Sequence, residues 1–215
     1  MKTNNLKRLC LQLGLALMLA APSLQAQNLD FVRFQSENVN DSDLDYINID
    51  ALVFDTDGGV RICIYNNTKP SGSASLTQPT VASIYFDASS THLTTAPTFD
   101  ASHSSSGVEF VVGGSNSNLP GGNEIGFTAD SSFTATPPPP KNGLNPGEFA
   151  CFYFAGADYV SVVAGINDGS VRIGVHVLQV GSNGEDSLSL VTIPAPSAAL
   201  LGALGVLAMV TRRKR

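Results

Sequence analysis

Val171, Ile173, Val175 and Val177 stand at alternate positions, with Arg172, Gly174 and His176 between them. Successive side chains of a strand point to opposite faces, so this segment reads as a strand that buries one face. The pattern recurs. Residues 46–54 alternate and run into Asp55-Thr56-Asp57-Gly58-Gly59, and residues 60–65 alternate behind them, closing at Asn66-Asn67. An Asp-Gly-Gly turn between such runs predicts a β-hairpin. Residues 80–86, 107–112, 124–128 and 149–154 are further expected strands. One segment breaks the period. Tyr159, Val162, Val163 and Ile166 fall at helical spacing, Asp158 stands where an N-cap belongs and Gly169 follows the end. That predicts a short helix over 159–166. Residues 119–147 are rich in loop signals, and Pro137 to Pro140 predict an extended, rigid surface segment. The expected fold is mainly β with one short helix: a β-sandwich, jelly-roll-like in its finer topology.

Both ends of the chain differ from this middle. Lys2, Lys7 and Arg8 precede an apolar run at 9–21, and Leu24-Gln25-Ala26 places a small residue before a cut. These are the parts of a secretory signal peptide, residues 1–26, whose removal by signal peptidase leaves Gln27 first and discards Cys10. At the other end stand Pro194, Ala195 and Pro196, an apolar run at 198–210, Thr211, and the basic cluster Arg212, Arg213, Lys214 and Arg215. As a helix that run spans about 20 Å, short of the roughly 30 Å hydrocarbon core. A short transmembrane helix over about 198–211 suits a segment held in the membrane until a protease cuts it, and an ordinary C-terminal anchor is the other reading. The basic cluster stays cytoplasmic by the positive-inside tendency, which puts residues 27–192 outside.

Residues 193–215 resemble the PEP-CTERM sorting signal of Gram-negative and related bacteria. There a Pro-Glu-Pro motif precedes a short transmembrane helix and an Arg-rich end, and an exosortase-type membrane protease processes it. Ala195 stands here in place of the central Glu. The middle segment is similar to uncharacterised exported proteins with that signal. The similarity lies in Ile84-Tyr85-Phe86-Asp87, Leu119-Pro120-Gly121-Gly122-Asn123, Asn145-Pro146-Gly147-Glu148, residues 171–177 and Asp186-Ser187. The resemblance implies an envelope, cell-surface or extracellular location and supplies no activity.

Seven of the 12 basic residues lie in the two end segments, and all 18 acidic residues lie in the domain, so residues 27–192 carry a net charge of −13. Such a surface repels nucleic acid and anionic lipid and suits cations. Asp41, Asp43 and Asp45 have the odd spacing of a calcium loop. Tyr46 and Leu52 stand where an EF-hand needs Gly and Glu, so only a calcium site of another kind, or a solvated acidic loop, remains. Cys63 and Cys151 survive export into an oxidising compartment. Either they bridge, closing a long loop, or they are two buried thiols. His92, His103 and His176 lack the spacing of zinc ligands. Glu109, Glu124 and Glu148 are not paired by any motif, and Gly-x-Ser-x-Gly is absent, so no enzyme is expected. Sugar binding needs aromatic platforms, for which Tyr46, Tyr65, Tyr85, Tyr153 and Tyr159 are the candidates. The sequence points to an exported structural or adhesive protein of an extracellular polysaccharide matrix, with a carbohydrate-binding module, calcium-assisted, as the alternative.

Overall fold

The computed structural model describes residues 27–36, 46–69, 78–88, 92–93, 95–114, 117–181 and 184–192. Residues 1–26, expected as a signal peptide, and residues 193–215, expected as a sorting signal, lie outside these. Among the described residues no helix is long and apolar enough to cross a membrane.

The chain is mainly β. Its strands are β1 (Gln27–Ser36), β2 (Ile49–Thr56), β3 (Gly59–Asn66), β4 (Thr80–Ala88), β5 (Thr98–Phe99), β6 (Phe110–Val112), β7 (Ser131–Ala135), β8 (Phe149–Ala155), β9 (Val171–Val180) and β10 (Asp186–Thr192). They form two antiparallel sheets joined through β1. The front sheet runs β5-β8-β3-β2-β1 and the back sheet β1-β10-β9-β4-β7-β6. Residues 27–30 of β1 pair with β2, and residues 31–36 pair with β10. At the opposite side the short edge strands approach, with the Phe99 and Phe110 rings 5.9 Å apart. The arrangement is that of a β-sandwich.

Alternation explains the core. Ala51, Val53, Ile62, Ile64, Phe152 and Phe154 of the front sheet meet Ile84, Phe86, Ile173, Val175 and Val177 of the back sheet. Phe152 lies at the centre, with ring centroids 5.4 Å from Phe86, 4.7 Å from Phe133 and 6.0 Å from Phe110. Each such side chain contributes roughly 1.5–3 kcal/mol by leaving water. The helix Tyr159–Asp168 carries the chain from β8 to β9 and buries Val162 and Ile166 in this core. Asp158 Oδ2 accepts from Ser161 N at 2.8 Å, which satisfies one orphan donor of the first turn, and Gly169 ends the helix.

Three sequence expectations are corrected. Residues 124–128 form no strand. Gly122–Ile125 is a 3-10 turn, and the loop beyond it packs Phe127 and Leu119 onto Tyr85 and Val191. This second small core covers the outer face of the back sheet. Gly174 makes it fit, because a Cβ there would come 2.6 Å from Leu119 Cδ2. Arg172 fastens the same loop: it donates to the carbonyls of Ile125 and Gly126 and to Asp87, and lies over the Phe127 ring. The proline run is not extended throughout, since Pro139–Asn142 makes one helical turn. β1, β5, β7 and β10 were not expected as strands.

Candidate functional site

The outer face of the front sheet is built differently from that of the back. The residues of β2, β3 and β8 that turn away from the core are Leu52, Phe54, Tyr65, Phe149 and Tyr153, each part-exposed, with the charged residues Asp50 and Arg61 among them. Registers set them in rows. Asp50, Tyr65 and Phe149 stand side by side, as do Leu52, Cys63 and Cys151, and then Phe54, Arg61 and Tyr153. In the first row the Tyr65 and Phe149 rings stack, with centroids 5.2 Å apart and planes 23° from parallel. Burial pushes the Tyr65 hydroxyl above its ordinary range. Beside the stack, Asn67 Nδ2 donates to Asp50 Oδ2 at 2.7 Å, a carboxylate–amide pair held at the surface. In the third row Tyr153 Oη donates to the Asp57 carbonyl of the β2–β3 turn at 3.3 Å. In the middle row Cys63 and Cys151 are joined by a disulfide and are only 3 % and 1 % exposed.

Asp100, just after β5, gathers the charges at the rim. It accepts from Arg61 Nε at 3.0 Å and Ser102 Oγ at 2.6 Å, and lies 2.9 Å from His103 Nδ1. Burial pushes its carboxyl up, but the hydrogen bonds from Ser102, His103 and Arg61 and the charge of His103 outweigh that and bring it to about 2. This is a Ser, His and Asp set without the geometry of a triad. A relay needs Ser and Asp on different ring nitrogens. Here Ser102 Oγ and Asp100 both meet Nδ1, and the serine hydroxyl donates to the carboxylate.

The other sequence candidates scatter. Asp41, Asp43 and Asp45 lie outside the described residues, as do Pro194, Ala195, Pro196 and the basic cluster. Among the described residues no three His, Cys, Asp or Glu side chains stand close enough to hold a metal ion. His92 Nδ1 meets Ser161 Oγ at 3.0 Å, and His176 stands in register with Ser83 and Ser189 in the back sheet. Glu109 accepts from Thr136, Glu148 caps its own turn at Asn145 N, and Glu124 lies on the covering loop. Tyr85 is buried in the small core, and the Tyr46 hydroxyl is buried as well. Of the five tyrosines, Tyr65 and Tyr153 lie on the front face. Phe54 and Phe149 join them there and were missed, because alternation does not say which of two apolar faces meets water. A shallow cavity of about 180 Å³ opens between Phe86, Leu93, Thr95, Pro97 and Asp130, but the Asp130 carboxylate already accepts from Ala88 N at 2.9 Å. Comparison with known protein families, with characterised proteins and with solved structures finds no match.

Proposed function

We propose that this chain is an exported, non-enzymatic protein of the cell envelope or surface that adheres to extracellular polysaccharide through the outer face of its front sheet. One observation carries the reading: the stacked Tyr65–Phe149 pair beside the Asp50–Asn67 pair. Sugar rings present an apolar C–H face and a hydroxyl rim. The first packs on aromatic surface, and the second exchanges hydrogen bonds with a fixed carboxylate and amide. On the back sheet, Leu119 and Phe127 of its own loop cover part of the corresponding face, at Tyr85 and Val191. The signal peptide delivers the domain outside. Pro194, Ala195 and Pro196, with the apolar run and basic cluster behind them, hold it at the membrane until an exosortase-type protease cuts. The repeated crossing of the chain between sheets, at β3 to β4, β4 to β5, β5 to β6, β7 to β8 and β8 to β9, supports the jelly-roll-like topology.

A glycan array probed with the full-length chain in mild detergent, with and without calcium, tests this. Binding should weaken at least tenfold in Tyr65→Ala and in Asp50→Ala while the melting temperature of Asp50→Ala stays within a few degrees. Binding that both variants retain would remove the front face from the function. Loss of binding in a chelator would bring Asp41, Asp43 and Asp45 into it. Mass spectrometry of protein from the envelope or medium tests the sorting: a mature C-terminus at Arg215 would leave an uncut anchor.

A further inference from the structure

The front face carries a second aromatic station, and its distance from the first limits the ligand. Phe54 and Tyr153 flank Arg61 in the third row, four residues along β8 and β3 from Phe149 and Tyr65. Four strand residues span about 14 Å. Between the stations lie the part-exposed Leu52 and the buried Cys63–Cys151 bridge. A single sugar ring would touch one station and leave the other to water. An extended chain of rings would reach both. The polar groups indicate its charge. Asp50 puts a carboxylate on this face, the Asp100 charge is balanced at the rim by Arg61, and the domain carries −13 in all. Arg61 is committed to Asp100, and so is His103. An acidic chain would therefore meet carboxylates, with the nearby cations already paired. We infer that the ligand is a neutral, extended glycan chain that lies across both stations, an inference that rests on the adhesive reading above.

Calorimetry of the full-length chain in mild detergent would test it against neutral β-glucan and mannan oligomers, from single sugars to about six units, with uronic-acid oligomers as the charged comparison. The expected result is a rise in affinity of about tenfold or more once an oligomer reaches both stations, because the second contact becomes intramolecular. Tyr65→Ala and Tyr153→Ala should each return the long oligomer to the affinity of the short one. Phe54→Ser serves at the second station if Tyr153→Ala unfolds the chain. Equal affinity for short and long oligomers would overturn the two-station inference, and a preference for uronic-acid oligomers would overturn the neutral one. Failure of every oligomer would overturn both. In that case binding to polysaccharide extracted from the producing cells keeps the adhesive reading, and failure there as well removes it.

Discussion

Asn at position 100 keeps the shape of the Asp100 side chain and removes its charge. The structure sets the cost. The carboxyl falls from an ordinary 3.8 to about 2, with the Ser102, His103 and Arg61 hydrogen bonds outweighing burial. At 1.36 kcal/mol per unit the whole shift is worth about 2 kcal/mol. Asp100 is 15 % exposed, but its partner His103 is 53 % exposed, so solvent screens part of the interaction. About 1–2 kcal/mol is the expected contribution at neutral pH. The folded value lies below the unfolded one, so the contribution is complete above about pH 4 and is lost as pH falls through about 2. Asp100→Asn should therefore unfold at lower urea than the parent at pH 7, with an unchanged slope, and the two should converge at pH 2. A deficit of equal size at both pH values would refute the reasoning, because it would trace the loss to packing and not to charge. So would the absence of any deficit at pH 7.

Reduction of the Cys63–Cys151 bridge, which closes a sequence separation of 88, should lower unfolding stability by about 4–5 kcal/mol in the chain-entropy model; identical denaturation midpoints with and without reductant would contradict it. Phe152→Ala, at the centre of the aromatic core, should cost about 3–5 kcal/mol, read as a fall in melting temperature. Gly174→Ala should push Leu119 off the back sheet at a cost of about 1–3 kcal/mol, and hydrogen exchange should then speed up over residues 117–130 before the rest of the domain.

Local chemistry was legible in the sequence. The Asp57-Gly58 turn, its two flanking strands and the Asp158 and Gly169 helix ends are each set by residues within a few positions of one another. Long-range packing was not. β1 carries Leu29, Phe31 and Phe34, and its register shift between Arg33 and Gln35 breaks the alternation that would have betrayed a strand. β7 offers only Phe133 and Ala135 to a period. Phe127 read as a strand residue because a loop that plugs a second core needs the same apolar side chains as a strand does. On the front sheet, Leu52, Phe54, Cys63 and Tyr65 alternate with Ala51, Val53, Ile62 and Ile64, so both faces look like core. Which one faces water depends on what packs over it, and that is settled by residues far away in the chain.

β1 pairs with β10, Phe31 opposite Thr192, so the first strand of the domain finds its neighbour in the last. Roughly 160 residues separate the two, and pairings of such long range are slow to form because loop closure must precede the contacts that reward it. A chain is made from its N-terminus, so β1 must wait with one ladder open until the final strand has been made. During that interval its N–H and C=O groups are available to any other extended chain. Correct assembly of this domain therefore depends on how soon the final strand becomes available, and delay before it should favour aggregation through β1.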